Sequence, residues 1–139
     1  MNDTRDYGIA LLRISLGALM LFHGLVKIVV FTPAGTVGFF ASLGLPAPLA
    51  YLTILIEAGG GLALILGLFT RYNALVQAAV LVGTIITVHG ANGFGFSNKG
   101  GGWEYPAVWA ITLIALSLIG NGAFALNIGR WKSSATSAA

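Results

Sequence analysis

The sequence contains no cysteine. That excludes a disulfide framework, a thiolate metal site, an iron–sulfur cluster and any catalytic thiol supplied by the chain itself. Charge is the second scarcity. Only 8% of the 139 residues are Asp, Glu, Lys or Arg, where a soluble domain carries about 25%. With 57% hydrophobic residues, so few charges cannot wet the surface of a soluble domain. The net charge of +3 comes from seven basic and four acidic residues. They form no Lys/Arg track for phosphates, so nucleic acid is not a partner. No repeat with a period of about 20–50 residues marks a solenoid. No nucleophile–base pair, zinc signature or dinucleotide fingerprint is legible, and no metal site is expected. What is abundant is long apolar sequence, which reads as an integral membrane protein whose first partner is the lipid bilayer.

A spanning helix needs about 20 mostly apolar residues, and four stretches qualify. They run from about Gly8 to Phe31, Ala47 to Phe69, Asn73 to Gly90 and Tyr105 to Ile128. The first is too long, and too polar toward its end, for a cleaved signal peptide, and no small-residue cleavage site follows it. It reads as a retained helix behind a mixed-charge tail, Met1–Asp6. The first connection, Thr32 to Pro48, is punctuated by Pro33, Pro46 and Pro48, which predicts a short interfacial helix with Phe39 and Phe40 dipping inward. The second, Thr70 to Tyr72, is short enough to predict an antiparallel hairpin. The third, Gly90 to Gly102, holds six glycines and reads as long and flexible, the kind of loop that often carries function. The expected fold is therefore all-α: a four-transmembrane-helix antiparallel bundle with a short interfacial helix in the first loop. Residues 1–132 form one domain, and Ser133–Ala139 a disordered tail.

Basic residues near span ends predict the orientation. With the N-terminus inside, the inner side receives Arg5, Arg13, Arg71, Arg130 and Lys132, against Lys27 and Lys99 outside. Both termini are expected to be cytoplasmic, and the first and third loops to face outward.

An ionisable group within a span costs about 2.5–3.5 kcal/mol at a helix centre and is a functional-site candidate by default. Arg13, His23, Lys27, Glu57, His89 and Glu104 are those candidates, most of them in the outer half of the bundle. At about 100° per residue, Arg13, Gly17, Met20, His23, Gly24 and Lys27 share one stripe, which the small residues should turn toward the interior. Glu57, Gly60 and Gly61 share a face of the second helix, and Glu57 is the one acid at that depth. It should therefore reach a basic group of the first helix, His23 before Arg13 or Lys27. Asn73, Gln77, Thr84 and Thr87 form a polar stripe on the third helix, but His89 points away from it if that helix is regular. Each candidate also has a plain structural reading. Arg13 and Lys27 can snorkel to headgroups, Glu57 can serve as hydrogen-bonded helix glue, and His23 can be a satisfied core histidine. Trp103, Trp109 and Trp131 read as belt or packing residues.

In sequence order, these motifs resemble the DoxX family of small four-helix membrane proteins. The likeness rests on Arg13-x3-Gly17 and His23-Gly24-x2-Lys27 in the first span, then Gly38-Phe39-Phe40 and Gly44-Leu45-Pro46. It continues through Glu57-x2-Gly60-Gly61-x5-Gly67, Thr70-Arg71, His89-x2-Asn92-Gly93-Phe94 and Glu104-Tyr105-Pro106. The resemblance implies an inner-membrane component of an oxidoreductase system linked to quinone. It also implies a protein partner or a homo-oligomer. With no thiol, direct thiol–disulfide exchange by this chain is excluded, and a sulfur-oxidising role would need a partner or a bound quinone. Haem is disfavoured because the two imidazoles, His23 and His89, do not converge in helical phase. A non-catalytic subunit that binds a small molecule or lipid, or serves assembly, is the alternative. Whether the chain is an enzyme by itself is left open by the sequence.

Overall fold

The computed structural model describes residues 3–126. The expected disordered tail, Trp131 and the basic residues Arg130 and Lys132 lie outside them, as does the end of the fourth predicted span.

The described chain is all-α. Helix α1, Thr4–Val29, begins earlier than the apolar run because Asp3 and Asp6 form a capping box. Helix α2, Thr32–Ser42, is the helix of the first loop, entered through Pro33 and three turns long. Helix α3, Ala47–Leu66, ends where Gly67 takes a left-handed φ of 74°. The Leu68 amide then donates to the Ala63 carbonyl at 2.8 Å, closing a Schellman turn. The hairpin connection is therefore Gly67–Phe69, and Thr70, Arg71 and Tyr72 form the first turn of α4, Thr70–Thr84. Beyond Thr84 the backbone changes period, with a π-helical turn at Ile85–His89 and a 3-10 turn at Gly90–Asn92. Helix α5, Glu104–Ile119, stops at Gly120, short of the predicted Ile128.

Among the described residues, three helical stretches are long and apolar enough to cross a membrane: Thr4–Val29, Ala47–Leu66 and the continuous Thr70–Asn92. The 16 residues of α5 span about 24 Å at 1.5 Å per residue, against a hydrocarbon core of about 30 Å.

Helices α1 and α3 run antiparallel in close contact, and α4 packs similarly on α5; the two pairs touch each other less. Small residues set the first crossing. A side-chain carbon on Gly24 would strike the Ala58 backbone, and one on Gly61 would strike Leu21 and Gly17. The Gly17 and Gly24 positions of the expected stripe are thus seated on α3, by the close backbone approach that small residues permit in membranes. His23 of the same stripe is exposed and turns to Trp109 of α5. Gly60 faces the other way, toward Asn73 and Gln77 of α4, where Asn73 Nδ2 donates to the Gly60 carbonyl at 2.7 Å and Gln77 Nε2 donates to Asn73 Oδ1 at 2.8 Å. Met20, Leu64, Leu81, Trp109, Leu113 and Leu116 form the centre of the core.

The bundle has two ends. The turn end carries Gly67–Phe69 and the segment after α5. The loop end carries α2 and residues 93–102.

Candidate functional site

The site begins at the α1–α3 crossing. Because Gly24 lets the two backbones meet, Lys27, one turn further along α1, reaches α3 at Glu57. Lys27 Nζ donates to Glu57 Oε2 at 2.6 Å, with side-chain exposures of 21% and 6%. The expected partner of Glu57 is thus found on α1, but it is Lys27 and not His23. His23 instead hydrogen-bonds through Nδ1 to the Leu19 carbonyl at 2.9 Å, and its ring lies edge-on to Trp109 of α5, centroids 5.1 Å apart. The Thr36 hydroxyl of α2 donates to the Thr32 carbonyl at 3.0 Å and lies 3.3 Å from the Lys27 carbonyl, so α2 is tied to the same level of α1.

On α4 the π turn decides the outcome. A π turn takes up about one extra residue, a lag of roughly 100° relative to a regular helix. That lag carries His89 back toward the face of Gln77 and Thr84, from which a regular helix would have removed it. Gly90 makes the geometry possible, because a side-chain carbon there would press on the Ile85 carbonyl that accepts the Gly90 amide. His89 Nδ1 bonds to the Gly101 carbonyl at 2.9 Å, so the glycine loop is tied to the helix. The expected flexibility of that loop is not what the structure presents. Asn92 Nδ2 donates to the carbonyls of Gly100 and Gly101, and Asn98 Nδ2 to that of Asn92. The Gly102, Trp103 and Glu104 amides bond back to Gly95, Gly93 and Phe94. Glycine here serves close backbone approach: Gly102 sits against the carbonyls of Gly93, Phe94 and Gly95.

Between the two helix pairs, toward the loop end, lies a cavity of about 680 Å³. That volume falls within the roughly 300–1,000 Å³ of small-molecule sites. Its walls are mostly aliphatic and aromatic, with Phe39, Phe40, Leu49, Leu52, Val80 and Trp109 among them. The polar side chains at its surface are His23, Lys27, Thr53, Thr84, Thr87, His89 and Tyr105. The Thr53, Thr84 and Thr87 hydroxyls donate to carbonyls of their own helices. The imidazoles, Lys27, the Tyr105 hydroxyl and the Trp109 Nε1 donor, which is buried without a partner, are therefore the groups with capacity to spare.

The six expected residues divide accordingly. His23, Lys27 and His89 line the cavity, and Glu57 joins them through Lys27. Glu104 is not brought to it: its carboxylate accepts the Phe96 amide at 3.1 Å and braces the loop. Arg13 lies at the turn end, fully buried, donating to the carbonyls of Leu64, Ile65 and Ala123 at 2.8–3.2 Å. It neither snorkels nor meets Glu57. The Leu64 and Ile65 carbonyls belong to the last turn of α3, where carbonyls run short of helical partners, and a cation there also suits the helix dipole. The Ala123 carbonyl comes from the segment after α5. Trp109, expected as a belt or packing residue, stands on the cavity wall against His23. Its one signal was the spacing Tyr105–Trp109, a turn apart on α5 and both on the cavity wall. No group of three or more His, Asp or Glu able to hold a metal occurs among the described residues.

Long apolar helices, a largely apolar exterior and an apolar cavity with a few polar groups at one end define a small polytopic membrane protein. The model of the DoxX family matches residues 8–90, and the chain belongs to that family. It is 36% identical over 127 residues to a Bacillus subtilis (strain 168) protein named "Putative oxidoreductase CatD", covering 91% of this chain and 90% of that one. It is 35% identical over 89 residues to "Inner membrane protein YqjF" of Escherichia coli (strain K12), covering 64% of this chain and 67% of that one. A Haemophilus influenzae protein of unassigned role is 30% identical over 128 residues, 91% and 93% of the two chains. No solved structure matches this chain.

Proposed function

We propose that this protein is a quinone-binding component of a membrane oxidoreductase system, crossing the inner (plasma) membrane four times with both termini in the cytoplasm. The observation that carries the reading is the cavity: about 680 Å³, mostly apolar, with imidazoles and an ammonium at its surface. A quinone headgroup with the first part of its tail fits that description, since such sites combine apolar walls with a few convergent polar groups. Similarity to a protein bearing an oxidoreductase name points the same way. When bound, a quinone supplies two-electron, two-proton redox chemistry. The chain's own share is binding and proton handling. Lys27, held by Glu57, offers a charged donor, and His23 and His89 can exchange protons with ligand oxygens. Without a thiol, the chain has no dithiol couple of its own, and electrons pass between the bound ligand and a partner protein. The fourth crossing falls to α5, whose shortfall of a few ångströms local bilayer thinning and interfacial Trp103 and Tyr105 can absorb. The orientation follows from Arg5, Arg13, Arg71, Arg130 and Lys132 set against Lys27 and Lys99.

Trp109 provides the test. A decyl-substituted benzoquinone added to the detergent-purified protein should quench tryptophan fluorescence saturably, and Trp109→Phe should remove most of that quenching. Solvent extraction should also recover quinone from the membrane-purified protein. Unsaturable quenching with no extracted quinone would overturn the reading. Recovery of phospholipid in its place would favour the alternative, a non-catalytic lipid-binding or assembly subunit.

A further inference from the structure

The two cavity histidines are held in the same way, and this constrains what they can bind. Each ring uses Nδ1 for a backbone carbonyl at 2.9 Å, His23 for Leu19 and His89 for Gly101. A carbonyl oxygen only accepts, so Nδ1 carries the proton in both rings. In a neutral imidazole the remaining nitrogen, Nε2, is then an acceptor. Neither Nε2 has a hydrogen-bond partner among the described residues, and that of His89 is not among the sealed, unpartnered polar atoms. Both residues line the cavity. They come from two different helices, and each ring is braced, His23 by Trp109 and His89 by the loop it bonds.

From this, and resting on the quinone reading above, we infer that the cavity selects the reduced, dihydroxy form of its lipophilic ligand over the oxidised form. A quinol hydroxyl donates to Nε2 and can still accept from Lys27. A quinone carbonyl can accept from Lys27 but leaves each imidazole acceptor it displaces from water unpaired. His23 is exposed and His89 half-buried, so the cost arises when a ligand covers them: an acceptor left unpaired under the ligand is the costlier fault. For a single unmet acceptor it corresponds to about a five- to hundredfold loss of affinity. Selectivity of tenfold for the reduced form raises the potential of the bound two-electron couple by about 30 mV. The site would thus hold quinol and release quinone, as suits a component that consumes quinol or stores it near a partner.

Three probes on the detergent-purified chain, under argon, test this without relying on a variant. They are a decyl-substituted benzoquinone, its quinol, and the quinol's dimethyl ether, compared by calorimetric titration. The quinol should bind at least about fivefold tighter than the quinone, and the ether, which cannot donate, should bind no better than the quinone. Quinone binding equal to or tighter than quinol, or an ether as tight as the quinol, would overturn the selectivity while leaving the quinone site standing. No binding of any probe would remove the site and the selectivity together. His23→Gln and His89→Gln should each reduce the ratio, since an amide presents a donor as well as an acceptor; an unchanged ratio in both would also overturn the inference.

Discussion

Lys27 and Arg13 leave the same face of α1, and their fates differ through what α3 offers at each level. Opposite Lys27 is a carboxylate that burial would otherwise leave uncompensated. Opposite Arg13 is the end of α3, with carbonyls and no acid. Removing one member of a buried pair strands the other. Lys27→Met and Glu57→Gln should each destabilise by about 3 kcal/mol, and the double variant by clearly less than their sum. Thermal unfolding in detergent reads this out. His23→Ala combined with Glu57→Gln should be additive, because the two side chains are not partners. Arg13→Gln should cost at least about 3 kcal/mol, since three carbonyls lose charge-assisted donors worth about 1.5–3 kcal/mol each. Arg13→Lys should not restore it, because an ammonium lacks the planar fork that spans carbonyls of two segments. Arg71 does comparable work on α5, bonding the Leu118 carbonyl at 3.1 Å. Two of the five basic residues counted toward the inner side are therefore also helix clasps.

Among the elements, the α1–α3 crossing and the π turn do the positioning. Gly61→Leu should abolish folded yield in detergent, because a side chain there meets the backbone of Leu21. Gly8→Ala and Gly38→Ala meet nothing within 4 Å, so they should leave the unfolding midpoint unchanged or raise it slightly, as alanine favours helix by about 1 kcal/mol. An unchanged midpoint for Gly61→Leu would mean that the crossing is not tight. In the π turn, deletion of Ile86 should restore a regular helix and leave His89 on the cavity face, because the residue lost is the one the π turn accommodates. Membrane insertion and quinone quenching of Trp109 should both survive this deletion. Lost quenching would show that the phase of His89 does not follow from the one-residue lag.

For the whole molecule, the arrangement as two helix pairs explains where a ligand fits. Small residues pull α1 onto α3, and α4 seats on α5. The pairs meet where Gly60 of α3 lies on Asn73 and Gln77 of α4, and toward the loop end they leave the cavity, which Phe39 and Phe40 of α2 line. Topology is the property that remains open to direct measurement. Reporter fusions after Lys99 and after Ala139 should report opposite sides of the membrane if α5 crosses, with the fusion after Ala139 cytoplasmic. The same side for both would reduce the number of crossings to three.

The sequence by itself determined that this is a helical membrane protein, because composition and run length answer to the bilayer and need no partner residue. It also determined which residues are out of place in lipid, and that Gly17, Gly24 and Gly61 mark close packing, since both follow from one helix at a time. Tertiary structure decided the pairings. Lys27 and not His23 reaches Glu57 because side-chain length and the level of the Gly24–Ala58 contact set the reach, and neither is a property of α1 alone. Arg13 became a clasp because α3 happens to end beside it. His89 entered the cavity because the backbone after Thr84 departs from 3.6 residues per turn, and a periodicity argument assumes the regular helix that this chain abandons there. Trp109 reads in sequence as one more apolar aromatic in an uncharged span; only the packing of α5 near α1 sets it against His23 at the wall of the cavity.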